Sequence, residues 1–103
     1  MDEKHSYLVD RLDFLEFKQN IIILKPPHHS TQLFYDLTLK DFLKIKDLVD
    51  EFSTKINNNE SLSLNIFEKR LVEIWQPAKS YPLSATLIAK ALMKKDLYEK
   101  LLS

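Results

Sequence analysis

Not one of the 103 residues is glycine. Average usage would place roughly seven in a chain of this length. Phosphate-cradling loops and the dinucleotide fingerprint need backbone without a Cβ beside the ligand, so both are excluded. The Asn-Gly and Asp-Gly turns that close tight hairpins are excluded as well. A hairpin-rich fold is hard to build from such a chain. The expectation is an all-α single domain spanning 1–103, a bundle of four to five helices.

The remaining composition supports a packed core. A chain of this length buries about two thirds of its extended surface on folding, and 45% hydrophobic with 11% aromatic residues provides the material. There are no cysteines, so disulfides, thiolate metal sites and thiol nucleophiles are absent. Fifteen basic and fifteen acidic residues are interspersed and cancel. The chain therefore lacks the net field that draws most nucleic-acid binders to phosphate. The start, Met1-Asp2-Glu3-Lys4-His5, has no signal-like apolar core, and the longest apolar run is Ile21 to Leu24. A cytoplasmic protein without a membrane segment is expected. Lysine outnumbers arginine thirteen to two, which implies an AT-rich coding sequence of the kind low-GC bacteria and their phages carry.

The first helix is expected over about 3–24. Met1, His5, Leu8, Leu12, Leu15, Gln19 and Ile22 recur at alternating steps of four and three, the pattern of a coiled-coil seam. In that register Arg11 is at g and Glu16 at the following e, the spacing of an interhelical salt bridge in a parallel pair. Tyr7, Phe14, Phe17 and Ile21 form a second apolar stripe on another side. A helix apolar on two sides needs two surfaces to cover it. The second surface belongs either to another protein chain or to a neighbour within the monomer, and the pattern leaves both open. Ile21 to Leu24 also reads as a short buried strand, but no partner strand is evident, so a last helical turn or extended exit is preferred.

Pro26 and Pro27 then interrupt the chain in a Pro-Pro-His-His loop over 25–30, followed by the helical core, 31–103. Thr31 to Tyr35 has room for a helical turn. Thr38 with Asp41 is a capping box and Leu37 with Phe42 a hydrophobic staple. They open a helix whose inner face is Phe42, Ile45, Leu48, Val49, Phe52 and Ile56. Asn57 to Asn59 ends it, asparagine being the residue that tolerates the left-handed conformation where glycine is missing. A third helix begins at Ser63 or Asn65, buries Phe67, Leu71 and Ile74, and stops at Pro77. A fourth starts near Tyr81-Pro82 and carries Leu83, Leu87, Ile88, Ala91 and Leu92. Asp96 with Glu99 signals a short last helix, Leu97 to Leu102. Without a glycine near 93–95, a helix continuous with the fourth is also compatible.

No constellation of catalytic residues stands out, so the chain reads as not an enzyme, with no cofactor, no metal and no small-molecule substrate. His28 and His29 are adjacent, and adjacent side chains diverge; no cysteine or carboxylate lies within four residues of them. Metal sites need ligands two to four residues apart and a second pair elsewhere. The carboxylates Asp10/Asp13, Asp47 and Asp50/Glu51 sit among lysines at helical spacing, where i,i+4 pairing accounts for them. Trp75 and Tyr81 are candidate interface anchors, because aromatic residues dominate interaction hot spots, or else core residues at a helix end. The most concrete reading is a protein–protein interaction or regulatory module. It self-associates as a homodimer or docks on a partner through Leu8, Leu12, Leu15 and Ile22, with Arg11 and Glu16 at the edges.

The alternative is a helix-turn-helix-like DNA-binding regulator using 84–102. Ile88-Ala89-Lys90-Ala91-Leu92 resembles the positioning helix of many bacterial repressors, and basic residues are in local excess from Gln76 onward. Against it, Met93 stands where that turn usually has glycine. The reading helix would be the apolar Leu97-Tyr98-Glu99-Lys100-Leu101-Leu102, which has few side chains to contact bases.

Four stretches carry a family resemblance: Arg11-Leu12-Asp13-Phe14, Phe34-Tyr35, Leu48-Val49-Asp50-Glu51-Phe52, and the closing Ala91-Leu92 with Leu97 to Leu102. Their order resembles the YhaI-like family of small Gram-positive bacterial proteins, a domain of unknown function. Where that family has glycines, this chain has Lys95-Asp96 and the Asn57 to Glu60 loop, and its segment after Tyr35 is shorter. The resemblance implies an all-α fold of several short helices and carries over no catalytic residue.

Overall fold

Helices joined by short connections account for nearly all of the described backbone. The structure, a computed structural model, describes residues 3–24, 33–81 and 83–102, with side chains of the first helix from residue 8 onward. Among these residues there is no strand. Five α-helices have both bounds among these residues, α1 (Glu3–Ile23), α2 (Leu39–Asn57), α3 (Leu64–Ile74), α4 (Ser84–Leu92) and α5 (Lys95–Leu102), and 33–35 are helical as well. A 3-10 helix, Gln76–Ser80, lies between α3 and α4. The all-α class is as expected. The count of helical elements exceeds the four to five read from the sequence because of this short 3-10 piece. Pro77 is preset for its first turn, whereas the sequence reading treated the same proline only as a stop. The Pro-Pro-His-His loop lies outside the described residues.

The helix ends are set by local chemistry. The Thr38 hydroxyl accepts a hydrogen bond from the Asp41 N–H at 3.1 Å, satisfying one of the orphan donors that begin α2. Ser63 rather than Asn65 caps α3, accepting from Ile66 N–H at 3.4 Å. Ile21, Ile22 and Ile23 are helical, ending α1, and Leu24 follows as a turn whose N–H donates to the carbonyls of Asn20 and Ile21. At the end of α2, Asn59 takes φ = 65°, the only positive φ among the described residues. The Asn59 N–H then donates to Ile56 O, and the Glu60 N–H to Lys55 O, both at 3.0 Å. These two reversed bonds are the Schellman arrangement, closed here without glycine.

Two boundaries differ from the sequence reading. First, α4 begins at Ser84, so Leu83 precedes it and is exposed. The buried face is Ser84, Ala85, Ile88 and Ala89, because small side chains let α4 approach its neighbours closely; Leu87, Ala91 and Leu92 are only partly covered. Second, α4 and α5 are separate. Met93 is extended (φ −88°, ψ 150°), which breaks the helix without requiring a positive φ. Its side chain is buried, and that burial holds the break. As α5 begins at Lys95, Asp96 lies inside the first turn, where it faces the positive end of the helix dipole instead of acting as N-cap.

One core joins all five helices, and aromatic rings form its spine. Phe42 of α2 stacks on Phe14 and packs against Phe17 of α1, with centroids 5.2 Å apart in both pairs. Phe17 meets Phe34 edge-on at 6.3 Å, and Phe34 leans on Trp75 at 5.8 Å. Phe52 and Phe67 join α2 to α3 in a T-shaped contact at 5.2 Å. Such pairs add to the area they bury. Leu97 and Leu101 fasten α5 to the same core.

Ion pairs flank this spine across helices. Lys46 Nζ donates to Asp13 at 2.8 Å and lies 3.9 Å from Asp10, linking α2 to α1. The hydrogen bond to Asp13 raises the Lys46 pKa. Arg70 grips Glu51 with both terminal nitrogens, at 2.8 and 3.1 Å, linking α3 to α2, and Lys55 joins Glu51 at 3.3 Å. Of the local pairings expected, Glu51–Lys55 forms, while Asp10, Asp13 and Glu51 find their closest cations on another helix.

Two outcomes follow. Asn59→Val forces a β-branched residue into the left-handed region and should destabilise the fold by about 1–2 kcal/mol. That is several degrees in Tm. Asn59→Gly should be neutral or stabilising by thermal unfolding. The second concerns acid. Arg70 holds the Glu51 carboxyl below its usual value of 4.5. A depressed carboxylate contributes stability that is present above its unfolded value and lost as pH falls through the folded one. Denaturant unfolding should find wild type more stable than Glu51→Gln at pH 7, with the difference closing below about pH 4.5.

Candidate association surface

The first helix is apolar on two sides, and only one side faces the core. Each residue advances about 100° around a helix. Phe17 and Ile21 are each 1% exposed, lodged against α2 and α4, and Phe14 packs beside them. Leu8, Leu12, Leu15 and Ile22 sit on the opposite side of the same cylinder. Their exposures are 59%, 65%, 54% and 54%. Among the described residues, therefore, no neighbour within the monomer covers the second stripe.

The surface is larger than the sequence reading indicated. Val9 and Ile23 are also exposed and adjoin the stripe on one flank. Both lie one residue after a seam position, the e positions of the heptad, so the signal was present but assigned to no face. From Leu8 to Ile22 the apolar strip runs about 21 Å along α1. Gln19 is the polar residue within it and is exposed. Arg11 and Glu16, the expected edge charges, are exposed on either side of the strip. Lys18 continues the basic edge, its Nζ 4.4 Å from the Phe14 ring centroid.

The other candidate sites fall elsewhere. Trp75 and Tyr81 are 4% and 5% exposed, so both are interior residues and neither offers a surface to a partner. A tryptophan at a helix end packs inward here because Phe34 needs a ring to lean on. In 84–102, Leu97 and Leu101 are committed to the core. The exposed charges of α5 are Lys95, Asp96, Glu99 and Lys100, two basic and two acidic, while Lys90 and Lys94 are exposed just before it. A cleft of about 210 Å³ runs beside α1, between Asn20, Lys46 and Leu92. It is smaller than the roughly 300 Å³ at which small-molecule pockets begin, and a second cleft between Asn20, Ile23 and Lys90, of about 300 Å³, is at that lower limit. Among the described residues no group of three histidines, cysteines or carboxylates is placed to hold a metal ion. No helix among them is long and apolar enough to cross a membrane.

No family model matches the chain, and neither a curated protein nor a solved structure matches it. The YhaI-like resemblance thus rests on its four sequence stretches.

The two faces of α1 should respond oppositely to substitution. In dilute protein, Leu12→Ser should change unfolding free energy by no more than about 0.5 kcal/mol, as exposed positions do. Phe17→Ala should cost about 3–5 kcal/mol through the cavity it leaves. Urea unfolding with the slope held in common measures both.

Proposed function

We propose that this protein is a non-catalytic protein–protein association module whose binding surface is the outer face of α1. The observation that carries the proposal is the contiguous exposure of Leu8, Leu12, Leu15 and Ile22, joined by Val9 and Ile23. Scattered single apolar residues on a surface need no explanation, but a continuous strip along one helix marks an interaction site. The composition of this strip supports the reading, since it follows a seam spacing with charges only along its edges.

A helix presented in this way is suited to binding. An isolated segment of this length would have to order itself on contact. Here Phe14, Phe17 and Ile21 already hold α1 against its own core. The strip is thus presented rigid and extended, so little conformational entropy is lost when it is covered. A partner surface needs only a complementary apolar groove or a second helix of matching spacing. A cytoplasmic regulator acting by such contacts, bacterial or phage in origin, is the setting this reading fits.

The test is Leu12→Glu, which places a charge at the centre of the strip without touching the core. Wild type at tens of micromolar should associate with itself or retain a specific partner from host extract. The variant should lose that association while unfolding at an unchanged temperature. A wild-type monomer that retains nothing sensitive to Leu12→Glu would remove the proposal.

A further inference from the structure

The geometry points to a second copy of this chain as the occupant of the α1 surface, with the two helices parallel and in register. This inference rests on the association surface proposed above and commits to its partner and orientation. Three observations carry it.

The first is the register. Leu8, Leu15 and Ile22 fall at d positions and Leu12 and Gln19 at a positions, and all of these side chains point away from the core. A self-complementary strip of this kind is what a two-fold pair requires, because each residue meets its own equivalent. Gln19 would meet the partner's Gln19, and a polar pair at a single a position selects one register over the slipped ones.

The second is charge. The edge at g is basic, with Arg11 and Lys18, whereas the edge at e holds Glu16 between Val9 and Ile23. In a parallel pair each g residue faces the e residue five positions later on the other helix. Arg11 then meets Glu16 of the partner subunit, twice by symmetry. Lys18, whose Nζ stays over its own Phe14 ring, then has the uncharged Ile23 of the partner subunit opposite it. In an antiparallel pair g faces g, so Arg11 would confront Lys18 of the partner subunit, again twice. The charges therefore distinguish the two orientations.

The third is the placement of the remaining helices. Phe17 and Ile21 point nearly opposite to the seam, so α2 and α4 lie behind α1. Two copies meeting at the seam keep their cores on the outside, clear of one another. The seam has only about two heptads, short for free peptides. It is sufficient here because each helix is already folded and oriented by its own domain. A contact this short belongs with the weak, readily reversible interfaces.

The chain has no cysteine, so an introduced one reports alone. Gln19→Cys under a mild oxidant should form a disulfide-linked dimer, since equivalent a positions meet in a parallel pair. In the antiparallel pair Gln19 faces Leu8 of the partner subunit, leaving the two introduced thiols about 16 Å apart along the axis. Sedimentation of unmodified protein at up to 100 µM should give the mass of two chains. Arg11→Glu or Glu16→Lys should each weaken that dimer about five- to tenfold, and the double exchange should restore it.

Three results overturn the inference. One is a dimer that cross-links only between mixed Gln19→Cys and Leu8→Cys chains, which is antiparallel. Another is a dimer indifferent to both charge reversals. The third is a monomer at 100 µM. If such a monomer nonetheless retains another protein in a Leu12→Glu-sensitive way, self-pairing falls while the association surface stands.

Discussion

The contact of Phe42 with Phe14 and Phe17 is the interaction on which the rest of the arrangement depends. A helix laid against a core has one main freedom, rotation about its axis. α1 is apolar on two opposite sides, so hydrophobicity alone does not choose between two rotations. The aromatic side wins because its rings reach across to Phe42, and through Phe17 to Phe34 and Trp75. The leucine stripe has no comparable extended partner set. Lys46 fixes the same rotation from the edge, since its Nζ reaches Asp13 and Asp10 only when Phe17 points inward. Turning α1 over would bury leucines, expose the phenylalanines and separate the ion pair. The exposed leucine strip is thus a consequence of how the core was filled.

The same economy of means governs the helix ends. Without glycine, each reversal needs another device, and several distinct ones occur. Asn59 accepts the left-handed conformation at the end of α2, which asparagine tolerates better than most residues with a Cβ. Pro77 sets a 3-10 turn after α3. Met93 stops α4 by burying its side chain in an extended conformation. Asparagine and proline are recognisable in a sequence. A methionine that breaks a helix is not, because its effect comes from the cavity that receives it.

That contrast runs through the whole molecule. The Thr38 cap, the inner face of α2 and the end at Asn57 were legible because local spacing encodes them. The leucine and phenylalanine stripes of α1 were legible for the same reason. What was not legible was every relation between helices. Asp10, Asp13 and Glu51 looked like members of local i,i+4 pairs, yet their closest partners are Lys46 and Arg70 on neighbouring helices. Trp75 was readable as an interface anchor, although a core residue is the commoner case at a helix end. Only the position of Phe34, forty-one residues earlier in the chain, decides it. The start of α4 was misjudged because Ala85 and Ala89 carry little pattern, although both are buried.

The sequence by itself determined that this chain is helical, where most of its helices begin and end, and that its first helix has two apolar sides. These properties depend on propensities and spacings within a few residues. Which of those sides is left exposed was decided by tertiary structure alone. It depends on rings contributed by α2, by residue 34 and by the end of α3, brought together only when the chain is folded. An apolar stripe has the same signature whether it meets its own core or a second molecule, so its fate is set by what remains to cover it.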